Sequence, residues 1–388
     1  MQIDFHFGAT YAIARLAGFG DADAQVVAYS AQYVDDSTTT GFIRFDNGMR
    51  FYRQATAHPP LDLQNASNDV GAQSWLPFHF LPGNDGLDTR APTDDQYRHR
   101  LVCRPDSFVA RAMMRDVIEA KAHAPDHSLH RLGIAAHVFV DTFAHRGFIG
   151  ERTSFNDVRR IETASGQGLQ RMPVPPIGHG QVSTYPDRPF LHWRYENSAG
   201  EQVERDNPSD FLLAAQRLCQ EFQRYRLGAP DAPAAGLDDV ACDRLATLIK
   251  GAADDDGDVR LQHWLRALQA DHFGFGPSSP TYVGKGKGSW KHIALGDFYL
   301  SWLQSAQRDM DAIPLDKRSL LQRIGAKLLE AGAEHTEALA DHFNVESVTY
   351  PFNAAFLTSH YKRFHDAAEE QRFAVFKKIL PRFGIYEA

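Results

Sequence analysis

Apolar residues recur at three- and four-residue intervals along much of the chain. This spacing covers residues 1–36, 107–121, 130–150, 208–225, 294–310, 315–342 and 352–380. Because residues at these intervals share one face of an α-helix, the pattern predicts a mostly α-helical fold. The segments between them are polar or rich in Gly and Pro, and they predict loops over 38–93, with room for short strands, and over 227–238 and 254–258.

Composition narrows the class of protein. The chain has 388 residues, of which 43% are hydrophobic and 23% charged, as in ordinary globular proteins. A net charge of −8 argues against a strongly basic, nucleic-acid-seeking surface, although a local basic groove stays open. Three cysteines without C-x-x-C spacing indicate no disulfide framework. With neither a signal peptide nor a membrane-length apolar run, we expect a cytoplasmic protein or one exported by a signal-independent secretion system.

One predicted helix, within residues 130–150, carries an unusual row of polar residues. His137, Asp141 and His145 are spaced four and four, so they lie along one face of the helix. The residues between them are apolar or aromatic, which indicates that this face is buried. Buried imidazoles and carboxylates need partners. Divalent metal ions fit best, and a His–Asp hydrogen-bond network is the alternative.

Other residues of the metal-ligand type precede this helix. The second predicted helix ends in Asp35 and Asp36, where two negative charges oppose the helix dipole and suggest a nearby cation or the start of a loop. His79 lies in the rigid aromatic sequence WLPFHFLP, a setting typical of a packed core histidine as well as of a ligand.

A further pair of candidate ligands follows the helix. His179 lies between two glycines and Asp187 lies between prolines, so the backbone around both is specialised. We favour this pair over His192 and Glu196, which would share a face if residues 192–196 were helical.

The order of these residues resembles the zinc-dependent phospholipase C / P1 nuclease superfamily, which comprises all-helical phosphodiesterases with three zinc ions. The family has a histidine in its first helix, where DFHF carries His6, and a second helix that ends in an aromatic residue, a small residue and Asp, where YVDD carries Asp35. A histidine in an aromatic context then precedes His-x3-Asp, as His79 precedes His137 and Asp141. The opening QIDFH also resembles a bacterial family of unknown function.

The resemblance covers about the first 200 residues and implies a set of metal ligands. Asp141 would bridge one pair of ions. The other implied ligands are Asp35 or Asp36, His79 and His137 for one ion, His6 for its partner, and His145, His179 and Asp187 for the remaining ion. Secreted members of the family use the amine and carbonyl of an N-terminal tryptophan, which this chain lacks, and Asp4 is the expected substitute. The cofactor would be two or three Zn ions, with Mn or Fe as alternatives.

The resulting prediction is a phospholipase C/P1 nuclease-like helical core over residues 1–200, with a helical extension over 201–388 that packs on it as one globular unit. By resemblance it would be a phosphodiesterase that uses metal-activated water, with Asp35 and Asp141 as catalytic residues and a phospholipid or nucleic acid as substrate. The predicted substrate contacts are Trp75, Tyr185 and the lysines of a glycine-rich loop, Lys285 and Lys287. The alternatives are a non-enzymatic helical protein with a structural metal or an interaction role, and a secreted antibacterial or host-directed effector.

Overall fold

The computed structural model describes residues 1–57, 68–90, 97–251, 253–296 and 349–386, and these residues are mostly helical, as predicted. A π-helix, Asp4–Ala9, runs directly into α1, Thr10–Leu16. The helices that follow are α2 (Asp21–Asp36), α3 (Asn68–Phe78), α4 (Tyr97–Leu101), α5 (Phe108–Ala120), α6 (Ser128–Ala144), α7 (Asn207–Leu227), α8 (Asp239–Gly251), α9 (Gly257–Gln269) and α10 (Trp290–Leu295). The last described helices are α11 (His360–Phe373), the π-helix Ala374–Ile379 and α12 (Leu380–Arg382).

Helices α2 and α6 lie side by side at the centre of the fold. Their backbones approach closely at Gly133, where a Cβ atom would lie only 2.3 Å from the carbonyl oxygen of Val27 and 2.6 Å from Cβ of Ser30. Only glycine leaves room for this contact. The contact sets the position of the next turn of α6, which carries His137.

The second half of the chain packs directly on the N-terminal π-helix. Gly8 lies against α9, since its added Cβ would be 2.9 Å from Cβ of Trp264. Phe5 meets Phe211 of α7 edge to face, with ring centroids 5.2 Å apart. Residues from both halves therefore belong to one buried apolar cluster.

Two small sheets lie at the periphery of the helical core. Strands β1 (Gly41–Phe45), β2 (Arg50–Arg53) and β6 (Thr349–Tyr350) form a sheet in which β1 is central, antiparallel to β2 and parallel to β6. Strands β3 (Arg159–Thr163), β4 (His192–Glu196) and β5 (Gln202–Asp206) form an antiparallel sheet in that order. The second sheet covers a smaller apolar cluster around Trp193 and carries the chain between α6 and α7.

Several predicted elements differ from the structure. The predicted loop over 38–93 contains strands β1 and β2, for which the prediction left room, but it also contains helix α3, which was not predicted. The last predicted helix begins at His360 rather than at residue 352. The helices predicted over 294–310 and 315–342 lie outside the described residues, apart from residues 294–296. Among the helices that are described, none is long and apolar enough to cross a membrane.

Candidate metal centre

The polar row of α6 faces the interior of the protein. His137 and Asp141 are at most 1% exposed, and His145, which follows the last residue of the helix, is 4% exposed. The amide of His145 still bonds the carbonyl of Asp141 at 2.8 Å, so the helical turn continues through it. Burial of the row, as inferred from the apolar residues between its members, is confirmed.

The side chains that meet here come from five separate segments, one of which is α6. They are the N-terminal π-helix, the end of α2, the residue after α3, α6 itself and the turns between 178 and 187. Three groups have ligand atoms that lie within 4.8 Å of one another: His6, Asp35 and His137; His79, His137 and Asp141; and His145, His179 and Asp187.

The central group has the dimensions of a tetrahedral metal site. Nε2 of His137 lies 3.1 Å from Oδ2 of Asp141, 3.2 Å from Nδ1 of His79 and 3.7 Å from Oδ1 of Asp35. Nδ1 of His79 lies 3.5 Å from Asp141 and 3.9 Å from Asp35. Metal bonds of about 2.0–2.2 Å in a tetrahedron place the ligand atoms roughly 3.3–3.6 Å apart. The observed separations lie close to that range.

A second group lies on the other side of Asp141. Nε2 of His145 is 3.3 Å from Oδ1 of Asp187, and Nε2 of His179 is 3.6 Å from its Oδ2. Gly178 makes this approach possible, because it adopts φ +48° and a Cβ there would lie 2.4 Å from the ring of Phe80. The glycine that drew attention to His179 in the sequence is therefore needed for the fold of the turn.

Backbone carbonyls orient four of the five histidines. Nδ1 of His137 lies 2.8 Å from the carbonyl of Ala31, and Nε2 of His79 lies 3.0 Å from that of Thr56. Two further ring nitrogens contact carbonyls in the same way: Nδ1 of His145 at 2.9 Å from His79, and Nδ1 of His179 at 2.8 Å from Ser183. A neutral imidazole that donates one N–H to a carbonyl presents a lone pair at its other nitrogen, which is how metal-bound histidines are usually held.

Those lone pairs face other electron-rich atoms. Nε2 of His137 points toward two carboxylates and toward Nδ1 of His79, all within 3.7 Å. Both ring nitrogens of His6 and Oδ1 of Asp187 are buried and have no hydrogen bond to any residue that the structure describes. Acceptors that converge on one point in a buried site repel each other unless a cation lies between them. The donor set therefore fits divalent metal ions.

The electrostatics keep these groups in the forms that bind metals. Burial lowers the pKa values of His6, His137 and His179 to about 4, so their rings are neutral at pH 7. Burial alone would raise the pKa values of Asp141 and Asp187, but neighbouring histidines and the amine of Met1 hold both well below their usual range, so both are ionised.

Asp35 is the exception among the carboxylates. Its pKa is raised by the loss of hydration and, further, by Asp141, although His137 and His79 oppose the rise. Its side chain is 34% exposed and that of His179 is 18% exposed, whereas the other side chains of the three groups are at most 8% exposed. The cluster therefore opens to solvent beside Asp35 and His179.

The α-amino group of Met1 also lies in the cluster. It is fully buried and lies 2.5 Å from Oδ1 of Asp141 and 3.2 Å from Oδ1 of Asp187. These carboxylates raise the pKa of the amine to about 11, although burial works in the opposite direction. No side-chain motif announces this group, and sequence reasoning placed Asp4 there instead.

Two predicted acidic ligands lie outside the cluster. Asp4 points away from it and is held by the guanidinium of Arg260, with Nε 2.7 Å from Oδ2, so it does not substitute for a metal ligand as expected. Oδ2 of Asp36 accepts a hydrogen bond from the hydroxyl of Tyr282 at 2.5 Å. Consecutive residues on a helix point about 100° apart, so only Asp35 of this pair faces the cluster.

The alternative pair is also outside the cluster. His192 and Glu196 lie at the two ends of β4, so they are separated by about 13 Å of extended chain. The side chain of His192 is 54% exposed and contacts Asp206, while Glu196 pairs with Arg160 at 3.1 Å. The preference for His179 and Asp187 therefore agrees with the geometry.

The predicted substrate contacts separate into two kinds. Trp75 lies next to the cluster, 5.3 Å from His79 between ring centroids. Tyr185 is 7% exposed and donates its hydroxyl to the carbonyl of Gln170 at 3.1 Å, so it is a core residue and does not face solvent as a substrate contact would.

The segment that leads into the lysine turn, residues 284–288, runs along α2 from Gln25 to Asp36. Tyr282 donates to Asp36, Tyr29 donates to the carbonyl of Val283, and Nε2 of Gln25 lies 2.7 Å from the carbonyl of Thr281. A Cβ on Gly284 would lie 2.9 Å from Oδ2 of Asp36. Lys285 is half-buried and Lys287 is exposed. The turn therefore begins against Asp36, the residue that follows Asp35 in the chain.

Comparison with known proteins gives one match. The profile of DUF6765, a family of unknown function, covers residues 1–379, so the chain belongs to that family. No curated protein and no solved structure matches the chain.

Proposed function

We propose that this member of the DUF6765 family is a metal-dependent phosphodiesterase with a helical core of the phospholipase C / P1 nuclease kind. The observation that carries the proposal is the convergence of imidazole lone pairs on Asp141, Asp35 and Asp187. Four histidines are oriented by backbone carbonyls so that their free nitrogens face these carboxylates. The amine of Met1 supplies one positive charge against Asp141 and Asp187, and the lone pairs of His137 and His79, which face each other at 3.2 Å, suit two or three zinc ions, with Mn or Fe as alternatives.

The open side of the cluster favours catalysis over a purely structural metal. Structural zinc sites are closed, whereas catalytic sites keep one position accessible. Asp35 belongs to the cluster and is also 34% exposed, so it is positioned to accept a proton from a water molecule that enters there. When bound, divalent cations supply Lewis acidity, which stabilises charge on phosphoryl oxygens and lowers the pKa of water to about 7.

Asp141 would organise the site. One of its oxygens lies near Nε2 of His6 at 3.2 Å, and the other lies near His137 at 3.1 Å. Its two oxygens therefore face different groups of ligands, as expected of a carboxylate shared between two metal ions.

The lysine turn supports an anionic substrate. It begins at Gly284 against Asp36, the neighbour of Asp35 in the chain, and Lys285 and Lys287 would give this region positive charge that attracts a phosphodiester. An aromatic pair on the β1–β2 hairpin, Phe42 and Tyr52, is also exposed, by 47% and 40%. Exposed aromatic rings are suited to contact either a base or an acyl chain.

The test combines metal analysis with hydrolysis. Protein purified without chelators is analysed for metals and assayed with bis-p-nitrophenyl phosphate, phosphatidylcholine vesicles and single-stranded DNA. We expect at least two metal ions per chain and hydrolysis of the simple diester, and the other two substrates distinguish a lipase from a nuclease. Fewer than about one metal per chain would contradict the proposal.

The variant Asp141→Asn tests the placement of the shared carboxylate. It should lose metal and activity together, because a neutral amide cannot neutralise two cations. Asp116→Asn is the matched control. Asp116 lies on α5 and pairs with Arg131 of α6, the helix that carries Asp141, but it lies outside the cluster. If Asp141→Asn keeps both metal and activity, the assignment of Asp141 is wrong.

A further inference from the structure

Arg260 of α9 holds the N-terminal segment, although it lies 256 residues after Asp4 in the chain. Its Nε and Nη2 atoms lie 2.7 and 3.1 Å from the two carboxylate oxygens of Asp4, and Nη2 also donates to Oε1 of Gln2. Nη1 donates to the carbonyl of Asp254 at 2.5 Å. Arg260 is 1% exposed, and so is Asp4. All three guanidinium nitrogens are thus engaged, and the ion pair with Asp4 is fully buried.

The residues that Arg260 holds flank those that enter the metal centre. Gln2 follows Met1, whose amine contacts Asp141 and Asp187, and Asp4 comes two residues before His6. The same segment also packs on α9 through Gly8, which contacts Trp264. The position of His6 is therefore set by a helix that carries no ligand itself.

His6 needs such external support more than the other histidines. Each of the other four has one ring nitrogen bonded to a carbonyl, which fixes the ring. Within the described part of the chain, neither ring nitrogen of His6 has a hydrogen bond, and its ring is held by stacking on His137, with centroids 3.7 Å apart. Stacking limits the tilt of a ring but permits it to slide.

We propose that Arg260 is a positioning residue for the metal ion that His6 binds. Through Gln2 and Asp4 it fixes the backbone of the π-helix, and so places the unanchored ring of His6 against Asp141. Arg260 acts for His6 as the backbone carbonyls act for the other four histidines. This inference rests on the metal centre proposed above.

Metal titration of chelator-treated protein tests the proposal. Co²⁺ is added to wild type and to Arg260→Gln, and binding is followed by its visible absorption, with bound metal counted by elemental analysis. We expect one equivalent of Co²⁺ to bind about 10–100-fold more weakly to the variant, which is the usual effect of losing a residue that holds a metal ligand in place. The other equivalents of Co²⁺ should keep wild-type affinity. Arg226→Gln is the control, because Arg226 bonds the carbonyl of Ala17 at 2.9 Å and so ties α7 to the end of α1 without touching residues 2–6.

A double variant separates positioning from general loosening. His6→Ala should weaken the same equivalent, and adding Arg260→Gln to it should cause little further loss, because the two residues act on one ion. Equal weakening of every equivalent, or additive losses, would overturn the proposal. If Arg260→Gln does not fold, Gln2→Ala, which leaves the buried ion pair intact, should weaken the same equivalent by a smaller factor, and unchanged binding by Gln2→Ala would then overturn it.

The outcomes distinguish this inference from the proposed function. If wild type binds no Co²⁺ or Zn²⁺, the metal centre itself is refuted, and the role of Arg260 with it. If wild type binds metal and Arg260→Gln binds every equivalent with wild-type affinity, only the role of Arg260 is refuted.

Discussion

Replacement of Gly133 by alanine tests whether the contact between α2 and α6 sets the geometry of the metal centre. The added methyl group would lie 2.3 Å from the carbonyl oxygen of Val27 and 2.6 Å from Cβ of Ser30. Both neighbours belong to the turns of α2 that precede Asp35. Neither the backbone of Val27 nor the Cβ atom of Ser30 can be avoided by a change of rotamer.

The size of the effect follows from these distances. Ordinary contact needs about 3.4 Å, so the helices must separate locally by roughly 1 Å. Overpacking of this kind costs about 1–3 kcal/mol, and the higher helix propensity of alanine returns about 0.5–1 kcal/mol. We therefore expect the free energy of unfolding to fall by about 1–2 kcal/mol. Metal sites tolerate displacements of only about 0.5 Å. The affinity for Zn²⁺ of the group formed by His6, Asp35 and His137, which joins α2 to α6, should therefore fall at least about tenfold.

Chemical denaturation of metal-free protein and Zn²⁺ competition titrations measure the two quantities separately. Gly251→Ala is the matched control, because Gly251 ends α8 and no atom of the described residues lies within 4 Å of an added Cβ there. It should be neutral or slightly stabilising. If Gly133→Ala is as stable as Gly251→Ala and binds metal with wild-type affinity, the close approach of the two helices does not determine the site.

Two further predictions concern the buried histidine of α11 and the lysine turn. Burial lowers the pKa of His365 to about 3, and the positive charge of Arg53 adds to this effect. Between pH 3 and the usual pKa of 6.5, only the unfolded chain binds the proton, so the free energy of unfolding falls as the pH falls. Between pH 7.5 and pH 5, the free energy of unfolding of His365→Gln should therefore fall by about 2 kcal/mol less than that of wild type. Chemical denaturation of chelator-treated protein at the two pH values measures this, and an equal fall in both proteins would refute it. The double variant Lys285→Ala/Lys287→Ala should raise KM for an anionic diester about tenfold with kcat within about twofold, because the turn contributes charge rather than chemistry. An unchanged KM in steady-state assays would exclude the turn from the substrate site.

The sequence predicted the centre of the cluster because its ligands obey local rules. The four-residue spacing of His137, Asp141 and His145 determines that they share a helix face, and the glycines and prolines around His179 and Asp187 mark an unusual backbone. These features depend on neighbouring residues alone. The eight residues that meet in the cluster were grouped by their order along the chain, which resembles a family pattern, and the same reasoning also named Asp36 and Asp4, which lie outside it.

Other parts could not be predicted because they depend on distant partners or on ambiguous local signals. Asp4 looks like a ligand until Arg260, 256 residues away, is known to neutralise it. Residues 192–196 alternate polar and apolar side chains, which is a strand signal, yet the four-residue interval between the polar ends also fits a helix. α3 was missed because its Asn-rich beginning and its internal Pro77 resemble a loop.

The spread of the cluster over the chain has a mechanical consequence. Its groups come from five segments between residues 6 and 187, and shared metal ions would join those segments as a set of removable cross-links. Cross-links that close long loops restrict the unfolded chain most, as disulfides do. A protease cut in the exposed turn after β3, at residues 165–168, would leave two fragments that share the apolar core and that bound metal also joins, so chelation should lower the stability of the cut protein.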